Sequence, residues 1–151
     1  MITVHVESFE ERLAELQAIL PEHNRELWLY PAHVSLNPQF DVYIKREKAG
    51  ELLFVTLRDT GELVGYFIGF ILFGLHYSTV LTCHQDIFFV RKDKRKGSAG
   101  IRLFRFVEQE LKRRGVRCWF MGSRAYADAS ALFKRIGASP LETYYSKWLG
   151  N

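Results

Sequence analysis

The chain has 151 residues, of which 48% are apolar and 15% aromatic, and its net charge is +4. That composition excludes disorder, and the length provides a core without disulfides or metals and fits one domain over residues 1–151. The positive balance admits an anionic ligand but identifies none.

Ile2 to Val6 alternates and predicts a first strand. Ser8 with Glu11 forms a capping-box pattern, and Phe9, Leu13, Leu16, Ile19 and Leu20 follow at helical spacing. Pro21 is expected to open a further helical turn through EHNREL, which puts His23 and Glu26 on one face. Tyr30 to Phe40 contains Pro31, Asn37 and Pro38 and reads as a loop. Asp41 to Ala49 predicts a short helix ended by Gly50. Three strands follow as an antiparallel meander: Glu51 to Leu57, Leu63 to Phe73, and Thr79 to Val90. Asp59 and Gly61 supply the first turn, and GLHYS the second. Simple alternation puts Val64, Tyr66, Ile68 and Phe70 on one face of the second strand. On the third it puts His84, Asp86, Phe88 and Val90 together.

The stretch after that strand, RKDKRKGSAG, is basic and contains glycine, and IRLFRFVEQELKRRG reads as a helix. Strand, loop and helix in this order suit an anion, because the first-turn N–H groups lack partners and the helix dipole is positive there. Val116 to Met121 predicts a short strand parallel to Thr79–Val90. Asp128 caps a late helix ended by Gly137, and Leu141 to Leu149 predicts a last strand. The whole reads as a mixed α/β sheet, mostly antiparallel, with helices on both sides. The last strand either completes its own sheet or pairs with a second subunit as a homodimer.

The apolar run Leu63 to Leu75 is too short to span a membrane and carries Gly65, Gly69 and Gly74. No charged-then-apolar leader opens the chain, so a cytoplasmic location is expected. Cys83 and Cys118 have neither metal nor redox spacing and are expected as reduced core thiols, with no metal.

The segment DIFFVRKDKRKGSAGIRLFRFVEQEL resembles the acetyl-CoA site of the GNAT N-acetyltransferases, whose signature is Arg or Gln, two residues, Gly, one residue, then Gly or Ala. ADASALFKRIGASPLETYYSKWL resembles the family's second motif. LPEHNREL, SLNPQFDVY, GELVGY and LHYS resemble a subgroup found in phage and prophage genomes, which implies a host cytoplasm. The resemblance implies a GNAT-like fold and an acetyl-CoA-dependent acyltransferase. It would carry acetyl to a primary amine on a small molecule, a protein lysine or an N-terminus, including one on a host protein.

Residue by residue, the resemblance places the pantetheine arm on Phe88, Phe89 and Val90. It places the pyrophosphate on Arg95, Lys96, Gly97, Ser98, Ala99, Gly100 and Ile101. Ser98 stands where the family's first loop glycine is expected. Phe133, against CoA, stands where the family often has a Tyr that protonates the leaving thiolate, and Phe has no proton to give. Tyr126 stands where many members carry a CoA-contacting Asn and is a candidate acid, with Ser130 beside it. Acyl transfer needs a neutral amine, so a base is useful. Asp86 is the first candidate and His84 the second. His23, Glu26, His76 and Tyr77 are expected to converge around the acceptor. The alternative is a non-catalytic module that binds CoA or a host protein. A nucleic-acid binder is disfavoured, because the aromatics read as core and do not interleave with the basic loop.

Overall fold

The computed structural model describes residues 1–27, 30, 32–125 and 127–150. Its strands are β1 (Ile2–Val6), β2 (Leu52–Asp59), β3 (Glu62–Phe73), β4 (Leu81–Val90) and β5 (Cys118–Phe120). Its α-helices are α1 (Leu13–Leu27), α2 (Phe40–Lys48), α3 (Ala99–Arg113) and α4 (Ser130–Arg135). Among the described residues the strands form one sheet in chain order, with β1 to β4 antiparallel and β5 parallel to β4. The expected mixed, mostly antiparallel sheet with helices on both faces is present. Helix α3 is the crossover that lets β5 run parallel.

The stretch LLFVTL is apolar except for Thr56 because both faces of β2 are buried. Leu53, Val55 and Leu57 pack with Phe67, Leu103, Phe104 and Val107 on the α3 side. Leu52 and Phe54 pack with Phe9, Leu16, Leu20 and Tyr66 on the α1 side. Each such side chain contributes roughly 1.5–3 kcal/mol by leaving water.

Helix α1 differs from expectation at its start. Ser8 Oγ does accept the Glu11 N–H, at 3.3 Å. The helix begins only at Leu13, however, and the N–H groups of Phe9 and Glu10 go to the Glu47 carboxylate of α2, at 2.6 and 3.3 Å. Pro21 lies inside one continuous α1, and the helical turn expected through EHNREL carries that helix to Leu27.

The β2–β3 hairpin closes on Thr60 and Gly61, at φ 50° and 87°. Two positive φ values match the strand twist in a two-residue turn. Val64 falls between the pairs Leu57–Gly65 and Arg58–Leu63. This extra residue joins the α3-side core and leaves the face of Tyr66, Ile68 and Phe70 on which alternation placed it.

Leu141 to Leu149 forms no strand. Ser146 and Trp148 of the segment instead contact the loop after α1. Ser146 Oγ meets the Tyr30 hydroxyl at 2.5 Å, and Trp148 stacks on His33 at 4.8 Å. β5 is three residues long, so its outer edge provides few ladder bonds to hold a further strand.

Candidate active site

β4 and β5 pair only from Thr82–Cys118 to His84–Phe120. Beyond His84 the two chains part, with Gln85 Nε2 donating across the start of the gap to the Gly122 carbonyl at 3.2 Å. The gap is a cleft of about 560 Å³. Gln85 to Val90 line one wall and Arg95, Gly97, Gly100 and Ile101 the end. Ser123, Arg124, Asp128, Leu132 and Arg135 line the opposite wall.

The loop at the end of the cleft is shaped by one glycine. Gly97 has φ 102°, a conformation that disfavours any side chain. Ser98, which replaces the expected first glycine, sits at φ −101° and bears no strain. Helix α3 begins at Ala99 without a side-chain cap. Among the described residues, none accepts from the N–H groups of Gly97 to Ile101. Five orphan amides therefore lie together at the positive end of α3, where Gly97, Gly100 and Ile101 line the cleft.

The basic residues around this loop mostly hold the scaffold. Lys94 meets Asp59 at 2.7 Å and Arg91 meets Glu62 at 2.8 Å. Arg95 Nε donates to the Val90 carbonyl at 2.7 Å, and its guanidinium lies over the Phe89 ring and pairs with Glu26. Arg124 and Arg135 on the far wall add positive charge to the cleft.

β4 carries an extra residue too. Ile68 pairs with Ile87, but Gly69 pairs with Gln85, so Asp86 is unmatched. The bulge re-aims the strand. Asp86 faces α2, where Tyr43 Oη donates to its carboxylate at 2.6 Å. Phe88 and Val90 face α3 instead. The single face expected for His84, Asp86, Phe88 and Val90 is therefore broken between Asp86 and Phe88.

Burial raises the Asp86 carboxyl above the usual range, and the Tyr43 hydrogen bond pulls it partly back. The Tyr43 phenol is itself pushed up by burial and by Asp86, so it remains a donor. His84 is exposed and stacks on Phe120 at 4.7 Å.

The four expected acceptor residues do not converge. His23 is 4% exposed, with Nδ1 bonded to the Tyr66 hydroxyl and its ring stacked on Phe89 at 4.7 Å. Burial, with Arg124 and Arg95 nearby, lowers its pKa to about 4. Glu26 lines the cleft beside Arg95. His76 and Tyr77 are exposed on the β3–β4 turn. Tyr66 pairs with Phe89, whereas the turn follows the Phe73–Leu81 pair, about 23 Å along the strand at ~3.3 Å per residue.

Phe133 is 8% exposed in the core against Phe88 and Phe104. Its helix neighbours Leu132 and Arg135 line the cleft in its place. Tyr126 lies outside the described residues. Ser130 Oγ donates to Asp128, whose Oδ1 also accepts from Ser123 Oγ and the Ser130 N–H, each at 2.9 Å. Sequence reading missed Tyr43, Ser123, Arg124 and Arg135. A cap pattern flags Asp128 locally, but Tyr43 carries no local signal. Among the described residues, no cluster of three His, Cys, Asp or Glu could hold a metal, and no helix is long and apolar enough to cross a membrane.

No protein-family model matches the chain, and no curated protein matches its sequence. Solved structures match its fold. An aminoglycoside acetyltransferase from an uncultured soil metagenomic sample aligns with a TM-score of 0.78 at 16% identity, over 99% of both chains. A ribosomal-protein-alanine N-acetyltransferase from Brucella melitensis biovar Abortus 2308 aligns at 0.73 and 16% identity, over 99% of this chain and 100% of that one. A predicted acetyltransferase from Clostridium acetobutylicum, solved with acetyl-CoA, aligns at 0.69 and 9% identity, over 99% of this chain and 97% of that one. The chain therefore has the GNAT acetyltransferase fold.

Proposed function

We propose that this protein transfers an acetyl group from acetyl-CoA to a primary amine, with both bound at once and no covalent enzyme intermediate. The observation that carries this reading is the parting of β4 from β5 with the Gly97–Ile101 amides at its end. The unpaired edge of β4 from Gln85 to Val90 fits an extended, amide-bearing arm. The orphan amides and the helix end fit a diphosphate. Residues Phe88 to Val90 and Gly97 to Ile101 would hold acetyl-CoA, with Arg124 and Arg135 adding charge from the far wall. When bound, acetyl-CoA supplies the acetyl group as a thioester. As the amine nitrogen bonds to the acetyl carbon and the thioester carbon–sulfur bond breaks, Asp86 takes the proton the amine loses, the CoA sulfur leaves as a thiolate, and Tyr43 holds the Asp86 carboxylate in place. Similarity to two enzymes named for acetylating an aminoglycoside and a ribosomal-protein alanine supports amine transfer as the reaction class.

The test is CoA release from acetyl-CoA in the presence of a panel of primary amines. Release that requires both the amine and the enzyme is expected. Tight CoA binding with no release for any amine would favour a binding module over an enzyme.

A further inference from the structure

We propose that the acceptor is a small monoamine with an apolar body, seated in a second cavity on the α1–α2 side of the sheet; this rests on the acetyl-transfer reading above. The cavity has a volume of about 340 Å³. At about 30 Å³ each it holds roughly ten groups the size of a water molecule, enough for an aromatic ring and a short chain. Leu16 and Leu20 of α1, Ile68 and Ile87 of the sheet, and Leu36 of the connecting loop supply apolar walls. Asn24, Ser35, Asn37 and the Tyr43 hydroxyl are the polar groups, and among the described residues no charged side chain lines the space.

The position of this cavity ties it to the cleft. Ile87 lines both spaces. Tyr43 lines the second cavity and donates to Asp86, which lines the cleft. The wall between the two spaces is therefore Tyr43, Asp86 and Ile87. An amine nitrogen at that wall lies beside the Tyr43 hydroxyl, whose hydrogen bond holds the one carboxylate within reach, Asp86, and the rest of the molecule extends into an apolar space. A second ammonium inside that space would lie against apolar walls without a counter-charge, which is costly. The cavity therefore selects against polyamines and aminoglycosides and in favour of monoamines.

The experiment compares 2-phenylethylamine, spermidine and kanamycin as acceptors at saturating acetyl-CoA, for the wild type and Leu36→Glu. Leu36 is 44% exposed, so this substitution does not disturb the core. The expected result is a kcat/KM for 2-phenylethylamine at least about tenfold above that for either polycation. Leu36→Glu is expected to raise KM for 2-phenylethylamine at least about fivefold and to leave acetyl-CoA affinity unchanged. Preference for spermidine or kanamycin, or an unchanged KM in Leu36→Glu, would overturn the proposal. Direct calorimetry with 2-phenylethylamine and with acetyl-CoA separates the two readings. Acetyl-CoA binding without 2-phenylethylamine binding or turnover removes the apolar acceptor and keeps the cleft. Binding of 2-phenylethylamine that is sensitive to Leu36→Glu, with no turnover of any amine, upholds the cavity and removes the transfer reaction.

Discussion

Asp86 faces α2 because β4 carries one residue more than β3 between the Ile68–Ile87 and Gly69–Gln85 pairs. The extra residue puts a half-buried carboxylate against one hydroxyl donor, and burial raises its pKa. As a base it acts only when ionised, so turnover should rise with pH along a limb placed above the ordinary aspartate range. Asp86→Asn should remove that limb, lower kcat about 100-fold and leave acetyl-CoA affinity nearly unchanged. A pH–rate profile of both proteins checks this, and an intact limb in the variant removes Asp86 from the role. His23 shows the opposite shift. Its pKa is about 4 in the fold against 6.5 ordinarily, so the unfolded chain binds the proton first. Its contribution is therefore complete above about pH 6.5 and is lost as pH falls through about 4, a change of about 3 kcal/mol. His23→Gln keeps a partner for Tyr66 and should flatten the loss between pH 7 and pH 4.5 in urea unfolding.

At the level of elements, what was legible had local causes. The meander, the α3 helix with its N-terminal loop, and the stops at Gly50, Gly115 and Gly137 all follow from periodicity and from residues that adopt positive φ. What was not legible depends on a partner strand or helix. The β4 bulge is defined only against β3, and parity alone put Phe88 on the wrong face. Tyr43 reaches Asp86 from 43 residues away, with no motif of its own. Likewise, Ser8 and Glu11 announced a cap, but Glu47 of α2 serves the N–H groups of Phe9 and Glu10. Glu47→Ala should cost about 1–2 kcal/mol in urea unfolding, because two backbone donors lose their acceptor together. A loss near zero would mean that Glu47 contributes nothing to the start of α1. LETYYSKWL had strand composition, but β5 gives it little edge, and Trp148 finds a stacking partner in His33 instead.

The whole molecule joins two spaces through one strand. β4 separates from β5 on one side to open the cleft, and its bulge turns Asp86 toward Tyr43, which lines the apolar cavity on the other. The cleft depends on the orphan amides at its end, and those depend on the conformation of Gly97. A side chain at Gly97 would meet nothing within 4 Å, so the cost of replacing it is in the backbone, about 1–2 kcal/mol. Folding should survive that cost, but the aim of the amides should not. Calorimetric titration of acetyl-CoA into the wild type and Gly97→Val tests this most directly. One site per chain is expected, with a Kd between about 1 μM and 1 mM, weakened at least about tenfold in the variant. No binding heat from the wild type at millimolar acetyl-CoA, or equal affinity in a folded Gly97→Val, would contradict it.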